Sequence, residues 1–177
     1  MTDDTSEGGL PRLWATWRMA YMKSLHRRPE DSVFQELPRE EDGPGNLIAH
    51  RGETCYVVLN LYPYNTGHCM VVPFRAVGEL SAITAEEMLE MMRMADLVTR
   101  ALTRCMDAQG FNIGMNLGKL AGAGIPNHLH LHIVPRWMGD TNFITTVGDT
   151  KVLPESLEDT YHRIQAAIRE ELASERK

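Results

Sequence analysis

His128-Leu129-His130-Leu131-His132-Ile133-Val134 alternates an imidazole with an aliphatic side chain and then runs on apolar. A period of two is that of a β-strand, whose successive side chains point to opposite faces. On such a strand over 128–134 the three imidazoles share one face, spaced about 6–7 Å apart, while Leu129, Leu131 and Ile133 belong to the core. A strand that is apolar on one side and titratable on the other needs partner strands and a cover for its leucine face. The sequence on either side is read for both.

Cys55-Tyr-Val-Val-Leu-Asn-Leu61 is β-branched and aromatic, and a turn at Pro63-Tyr-Asn-Thr-Gly67 leads to Cys69-Met-Val-Val-Pro73. Two such runs around a short Gly-containing turn read as a hairpin. Phe111–Leu117 reads as a third strand and 128–134 as a fourth. Between them Thr84 opens a helix with a capping box, since Glu87 stands three residues on. Met88, Met91, Met92, Ala95, Val98, Leu102 and Cys105 form its apolar stripe, and Gly110 ends it. The methionines could serve as a soft partner surface, but one stripe at helical spacing argues for the core. Pro154–Leu172 is a second amphipathic helix, with Leu157, Tyr161, Ile164, Ile168 and Leu172 on one side. Upstream, 1–10 reads as a polar tail, Leu13–Leu25 as a short helix, and 27–46, with three prolines and an acidic run, as exposed loop. Strand pairs separated by one long helix predict an α+β fold with a mainly antiparallel sheet.

With 177 residues the chain is one domain's worth, and 43% hydrophobic with 24% charged residues is ordinary for a soluble globular protein. A net charge of −6 argues against a nucleic-acid binder, which would carry a basic stripe. The longest apolar runs are too short for a membrane span, and the acidic start lacks the features of a signal peptide. The three cysteines, Cys55, Cys69 and Cys105, stand apart among apolar residues and read as reduced, buried thiols in a cytoplasmic protein.

Three of the seven histidines on one strand face leave two chemistries open. A His-x-His pair on a strand can direct two nitrogens at one metal, but no carboxylate or cysteine pair follows to complete the shell. The second reading is a histidine nucleophile attacking phosphorus. Gly118-Lys-Leu-Ala-Gly-Ala-Gly124, running directly into the histidines, favours it, because glycines let backbone N–H groups approach phosphate oxygens.

His-φ-His-φ-His-φ-φ, with φ apolar, is the signature of the histidine-triad (HIT) family of nucleotide hydrolases and transferases, which the chain resembles over about residues 47–150. Val58-Leu-Asn60 with Pro63–Pro73 resembles that family's first hairpin, and Phe111-Asn-Ile-Gly-Met-Asn116 its next strand and phosphate loop. Ile133-Val-Pro-Arg-Trp137-Met-Gly-Asp-Thr-Asn142-Phe143 is similar to a bacterial branch described as diadenosine tetraphosphate phosphorylases. The resemblance implies a HIT-like fold: a mainly antiparallel five-stranded sheet, one long helix and flanking N- and C-terminal helices. Its parts would be a tail, helix and loop over 1–46, a catalytic domain over 47–150 and a packed helix over 151–177.

It also implies roles. His130 would be the nucleophile, its second nitrogen held by an acceptor such as a backbone carbonyl. His128 would support it from behind, His132 would donate to a phosphate oxygen, and His68 would buttress the triad. Asn60, Asn116, His132 and the loop residues Gly122, Ala123, Gly124 and Ile125 would bind substrate, and Lys119 would add charge or lie in solvent. Trp137 would be a lid, a dimer contact or a packed aromatic; His26, His50 and His162 fit no pattern. Relatives use Cys-x-x-Cys, a later histidine and the first triad histidine to hold zinc. Here Ser32, Gln35 and Ala76 stand at the first three places, so no structural zinc and no tightly bound cofactor are expected, at most Mg²⁺ accompanying a polyphosphate. A further departure is Gly124, where a Ser or Gln usually donates to phosphate. The implied activity is transfer of a nucleotidyl group through His130 to phosphate, releasing ATP and ADP from diadenosine tetraphosphate. Transfer to water would make a hydrolase of dinucleoside polyphosphates or nucleoside phosphoramidates, and an idle nucleotide-binding module is a third class. A homodimer, able to associate further, is the implied assembly.

Overall fold

The computed structural model describes residues 33–141, 143–148 and 152–175. The expected tail over 1–10, the helix over 13–25, His26 and Ser32 lie outside these residues. A five-stranded antiparallel sheet in the order β1-β2-β3-β5-β4 forms the centre. Its strands are β1 (Ile48–Arg51), β2 (Cys55–Leu59), β3 (Cys69–Pro73), β4 (Gly110–Gly114) and β5 (Leu131–Arg136). The helices are α1 (Val33–Glu36), α2 (Ala85–Met106), α3 (Phe143–Gly148) and α4 (Leu157–Glu175).

Every residue of β2 and β3 is buried, as expected of interior strands covered on both faces. Their hairpin pairs Cys55 with Pro73 and Leu59 with Cys69, and β5 then lies along β3 with His132 opposite Met70. On its other side His132 is opposite Gly114 of β4. The α2 helix packs against β2, β3 and β5, and α4 packs against α2 and β1. Met91, Met94, Leu97, Val98, Leu102, Tyr161, Ile164 and Ile168 from these two helices join the strand residues in one core. The α2–α4 seam closes on Glu171, a buried carboxylate that accepts from both Arg100 (2.7 Å) and Arg104 (2.6 Å). That pairing is what makes burial of its charge tolerable.

The Thr84 capping box is present, with the Glu87 N–H donating to Thr84 Oγ1 and Glu87 Oε2 accepting from the Thr84 N–H. Four expectations are corrected. The strand expected over 128–134 begins at Leu131, and His128–His130 form its irregular approach. The third strand stops at Gly114, since Met115–Leu117 already turn into the glycine loop. The α2 helix ends at Met106, where Asp107 takes the left-handed cap at φ 52°, so Gly110 opens β4 instead. Met88 and Met92 are about half exposed, and Met94, Leu97 and Ala101 fill the core in their place. The stretch 27–46 also does more than expose loop: Phe34 is buried, and buried Asn46 accepts from the Gly43 and Ile48 N–H groups while donating to Leu37 O. Cys55 and Cys69 are buried and Cys105 is half-buried, all three as free thiols. Burial raises Cys55 to about 11, which leaves it protonated and inert near neutral pH.

Candidate active site

Strand register delivers the site. His68 stands just before β3, and its backbone closes the hairpin, with the Asn60 N–H donating to His68 O at 2.9 Å. His132 lies across the β3–β5 ladder, so the two imidazoles meet at 2.9 Å between His68 Nε2 and His132 Nδ1. His130 packs edge-on to His132, with ring centroids 4.8 Å apart. The segment carrying His128 is pinned to the connection that follows β3 by a bond from the Leu129 N–H to Val77 O. Gly78 permits that approach, since a Cβ there would lie 3.1 Å from Pro126 O and Asn127 Cα. All four histidines are buried.

Each ring nitrogen can be assigned from its partner, because an amide N–H can only donate and a carbonyl can only accept. His130 Nδ1 lies 2.9 Å from His128 O, so Nδ1 carries the proton and Nε2 carries the lone pair. This carbonyl occupies the place that a nucleophilic His130 requires of an acceptor. His128 Nε2 likewise donates to Pro73 O at 2.8 Å, leaving Nδ1 as a buried lone pair. His68 Nδ1 receives the Tyr64 N–H at 3.1 Å and the Asn60 amide at 3.3 Å. It is therefore unprotonated, and His68 Nε2–H donates to His132 Nδ1. That leaves the proton of His132 on Nε2, which is buried and has no partner among the described residues. An unmet buried donor costs roughly 1–3 kcal/mol, a cost that an incoming acceptor such as a phosphate oxygen would remove. His130 Nε2 is also without a partner among the described residues.

Burial holds all four rings in the neutral form. It pushes His68 down to about 3, helped by neighbouring His132 and His130, and His132 down to about 4, helped by His130. His128 and His130 are lowered by burial too, partly offset by the carbonyls they donate to. The lone pair on His130 is thus available at neutral pH.

The other anticipated residues divide. Asn60 is committed to the cluster, donating to His68 and accepting from the Tyr62 N–H at 2.9 Å. Asn116 is half-buried and faces Gly122. In the glycine loop a turn over Lys119–Ala121 is flanked by Gly118 (φ 79°) and Gly122 (φ 89°), both at a positive φ that favours glycine. The Gly122 and Ala123 N–H groups are consumed inside it, donating to Lys119 O and Gly118 O. This corrects the expectation that they are free for phosphate, and the N–H groups of Gly124 and Ile125, with no acceptor among the described residues, are the ones left open. Lys119 is exposed. Trp137 is no lid within one chain: it stands about 16 Å along the strand from His132, and its indole N–H donates to Met106 O. His50 is half-buried and His162 exposed, away from the cluster.

Two residues were not anticipated. Phe34 packs against His128 and His130, with ring centroids at 5.5 and 5.2 Å, and Tyr64 packs against His68 and His132. Neither could be found from spacing, since both reach the triad only through tertiary packing. The zinc donor set does not fit: Gln35 and Ala76 offer neither thiolate nor imidazole, and His128 Nε2 is spent on Pro73 O. Among the described residues no group of three or more His, Cys, Asp or Glu could hold a metal. No helix among them is long and apolar enough to cross a membrane.

Residues 44–138 match the HIT domain. The chain is 46% identical over 158 residues to an AP-4-A phosphorylase of Mycobacterium tuberculosis, covering 85% of this chain and 80% of that protein. It is 30% identical over 112 residues to an asymmetrical bis(5'-nucleosyl)-tetraphosphatase of Schizosaccharomyces pombe, covering 63% of this chain and 58% of that one. Its fold is like that of a Zn-bound histidine triad family protein from Mycobacterium smegmatis. That likeness has a TM-score of 0.64 at 24% identity, over 80% of this chain and 94% of the other.

Proposed function

The chain belongs to the HIT domain family, and from that membership we propose that it is a nucleotidyl-transfer enzyme that phosphorolyses diadenosine tetraphosphate to ATP and ADP. The observation that carries the chemistry is the single tautomer of His130, which leaves Nε2 unprotonated and without a partner among the described residues. In the first step Nε2 attacks the α-phosphorus, the bond from phosphorus to the bridging oxygen breaks, and ATP leaves. In the second an oxygen of inorganic phosphate attacks the nucleotidyl-His130, the P–N bond breaks, and ADP leaves. His132 Nε2–H and the Gly124 and Ile125 N–H groups are the donors for the phosphate oxygens. Because the His68–His132 chain ends on N–H donors at His68 Nδ1, it offers a hydrogen bond but no proton to pass on. A polyphosphate departs as an anion and needs none, whereas an amine leaving from a phosphoramidate does. The mycobacterial phosphorylase relative supports phosphate over water as acceptor.

The proposed enzyme is cytoplasmic and works without a structural zinc, since the donor set does not suit the metal. It is a homodimer formed across β4, which lies at one end of the sheet order with Asn112, Ile113 and Gly114 exposed. The test is incubation with diadenosine tetraphosphate, with and without phosphate. ADP should rise with phosphate concentration and saturate. AMP as the main product at saturating phosphate would replace the phosphorylase reading with the tetraphosphatase one, and no turnover in either condition would leave only a binding module.

A further inference from the structure

Tyr64 stands in the hairpin turn, its side chain 57% exposed. An aromatic ring that gains little from burial is nonetheless held against two imidazoles. Its centroid lies 4.6 Å from that of His68 and 5.7 Å from that of His132, at interplanar angles of 39° and 29°. The same residue contributes through its backbone, since the Tyr64 N–H is one of the two donors on His68 Nδ1. The other, the Asn60 amide, is itself aimed by the neighbouring turn, because the Tyr62 N–H holds Asn60 Oδ1.

We propose that Tyr64 is a positioning residue for His132: its N–H selects the tautomer of His68, and its ring keeps water off the His68–His132 hydrogen bond. An N–H···N bond open to water competes with water at both ends, and a rotated His68 would no longer present its proton to His132. With the ring in place, the chain Tyr64 N–H, His68, His132 has one arrangement, and His132 Nε2 always carries the proton a phosphate oxygen needs. Among the described residues the groups facing His132 are His68 from the hairpin, His130 from its own segment and Tyr64 itself; Met70 of β3 and Gly114 of β4 flank it in the sheet and do not titrate. No carboxylate in that set would mask the effect.

The inference rests on the proposed catalytic role of His132, so its test has one arm that does not depend on turnover. In an NMR titration of the ring nitrogens, wild-type His132 should stay neutral and Nε2-protonated down to about pH 4. Both variants keep the backbone N–H and so isolate the ring: in Tyr64→Ala the His132 titration should move up by about one unit or more as water reaches the pair, while Tyr64→Phe, which keeps the ring, should titrate like the wild type. In the second arm Tyr64→Ala should lower kcat for diadenosine tetraphosphate by about tenfold with KM changed by less than about threefold, and Tyr64→Phe should restore it. An unmoved His132 titration in Tyr64→Ala overturns the positioning role, as does a Tyr64→Phe protein that behaves like Tyr64→Ala. If wild-type protein does not turn over the dinucleotide, the proposed function falls and the titration arm still decides the role of Tyr64.

Discussion

A neutral imidazole with one nitrogen tied to a carbonyl and a lone pair on the other is what the proposed mechanism asks of His130, and replacing it would remove the covalent route rather than the pocket. His130→Ala should therefore lose about three orders of magnitude or more in turnover. Nucleotide affinity, measured by calorimetry, should change only a few-fold, since the proposed binding donors lie on His132 and the glycine loop. The four neutral rings also leave a mark on stability. In the unfolded chain a histidine takes up its proton near pH 6.5, whereas folded His132 and His68 refuse it until about 4 and 3. The unfolded state thus binds more protons in this window, so stability is full above about pH 6.5 and declines as pH falls towards 4. Urea midpoints at pH 7.5 and 5.0 should show the decline, and His132→Asn should flatten it. At this scale the sequence is unusually open: the imidazoles at 128, 130 and 132 are named by their spacing alone. Which loop amides remain free was not, because the internal bonds of Gly122 and Ala123 depend on a local turn that no spacing encodes.

Among the elements, the least conspicuous one bears on the nucleophile. The α1 helix has four residues and would count for little but for Phe34, whose ring is buried against His128 and His130 and whose carbonyl accepts the Tyr56 hydroxyl at 2.8 Å. Phe34→Ala should cost about 3–5 kcal/mol by denaturant titration and lower kcat through the loosened His130, while Phe34→Leu should keep most of both. This element was hidden because a single aromatic in a proline-rich stretch has no periodicity to betray it. For the same reason β1, reading Ile-Ala-His-Arg, shows no alternation and is recognisable only once β2 pairs with it. The long elements were plain: α2 starts at its capping box, and α4 buries Tyr161, Ile164 and Ile168 at helical spacing. The misplaced part of the α2 stripe, Met88 and Met92 for Met94 and Leu97, reflects a core wider than a single heptad row, since sheet and α4 both press on this helix.

At the scale of the molecule, ion pairs close the α2–α4 seam and four of the seven histidines converge on the site, while among the described residues no group of three or more His, Cys, Asp or Glu could hold a metal. Elemental analysis of the purified protein should find well under one zinc per chain, and chelator treatment should leave the melting temperature unchanged. The edge strand β4 has a larger consequence. It carries Gly114 opposite His132 and passes through Asn116 into the glycine loop, so whatever covers that edge also braces the segment proposed to meet the substrate. If the proposed homodimer covers that edge, specific activity should fall on dilution as the chains separate, with a lag on reconcentration and a midpoint matching the dissociation constant from sedimentation. Such a homodimer would read its own abundance: a cell holding few copies would have less than a proportional share of the activity.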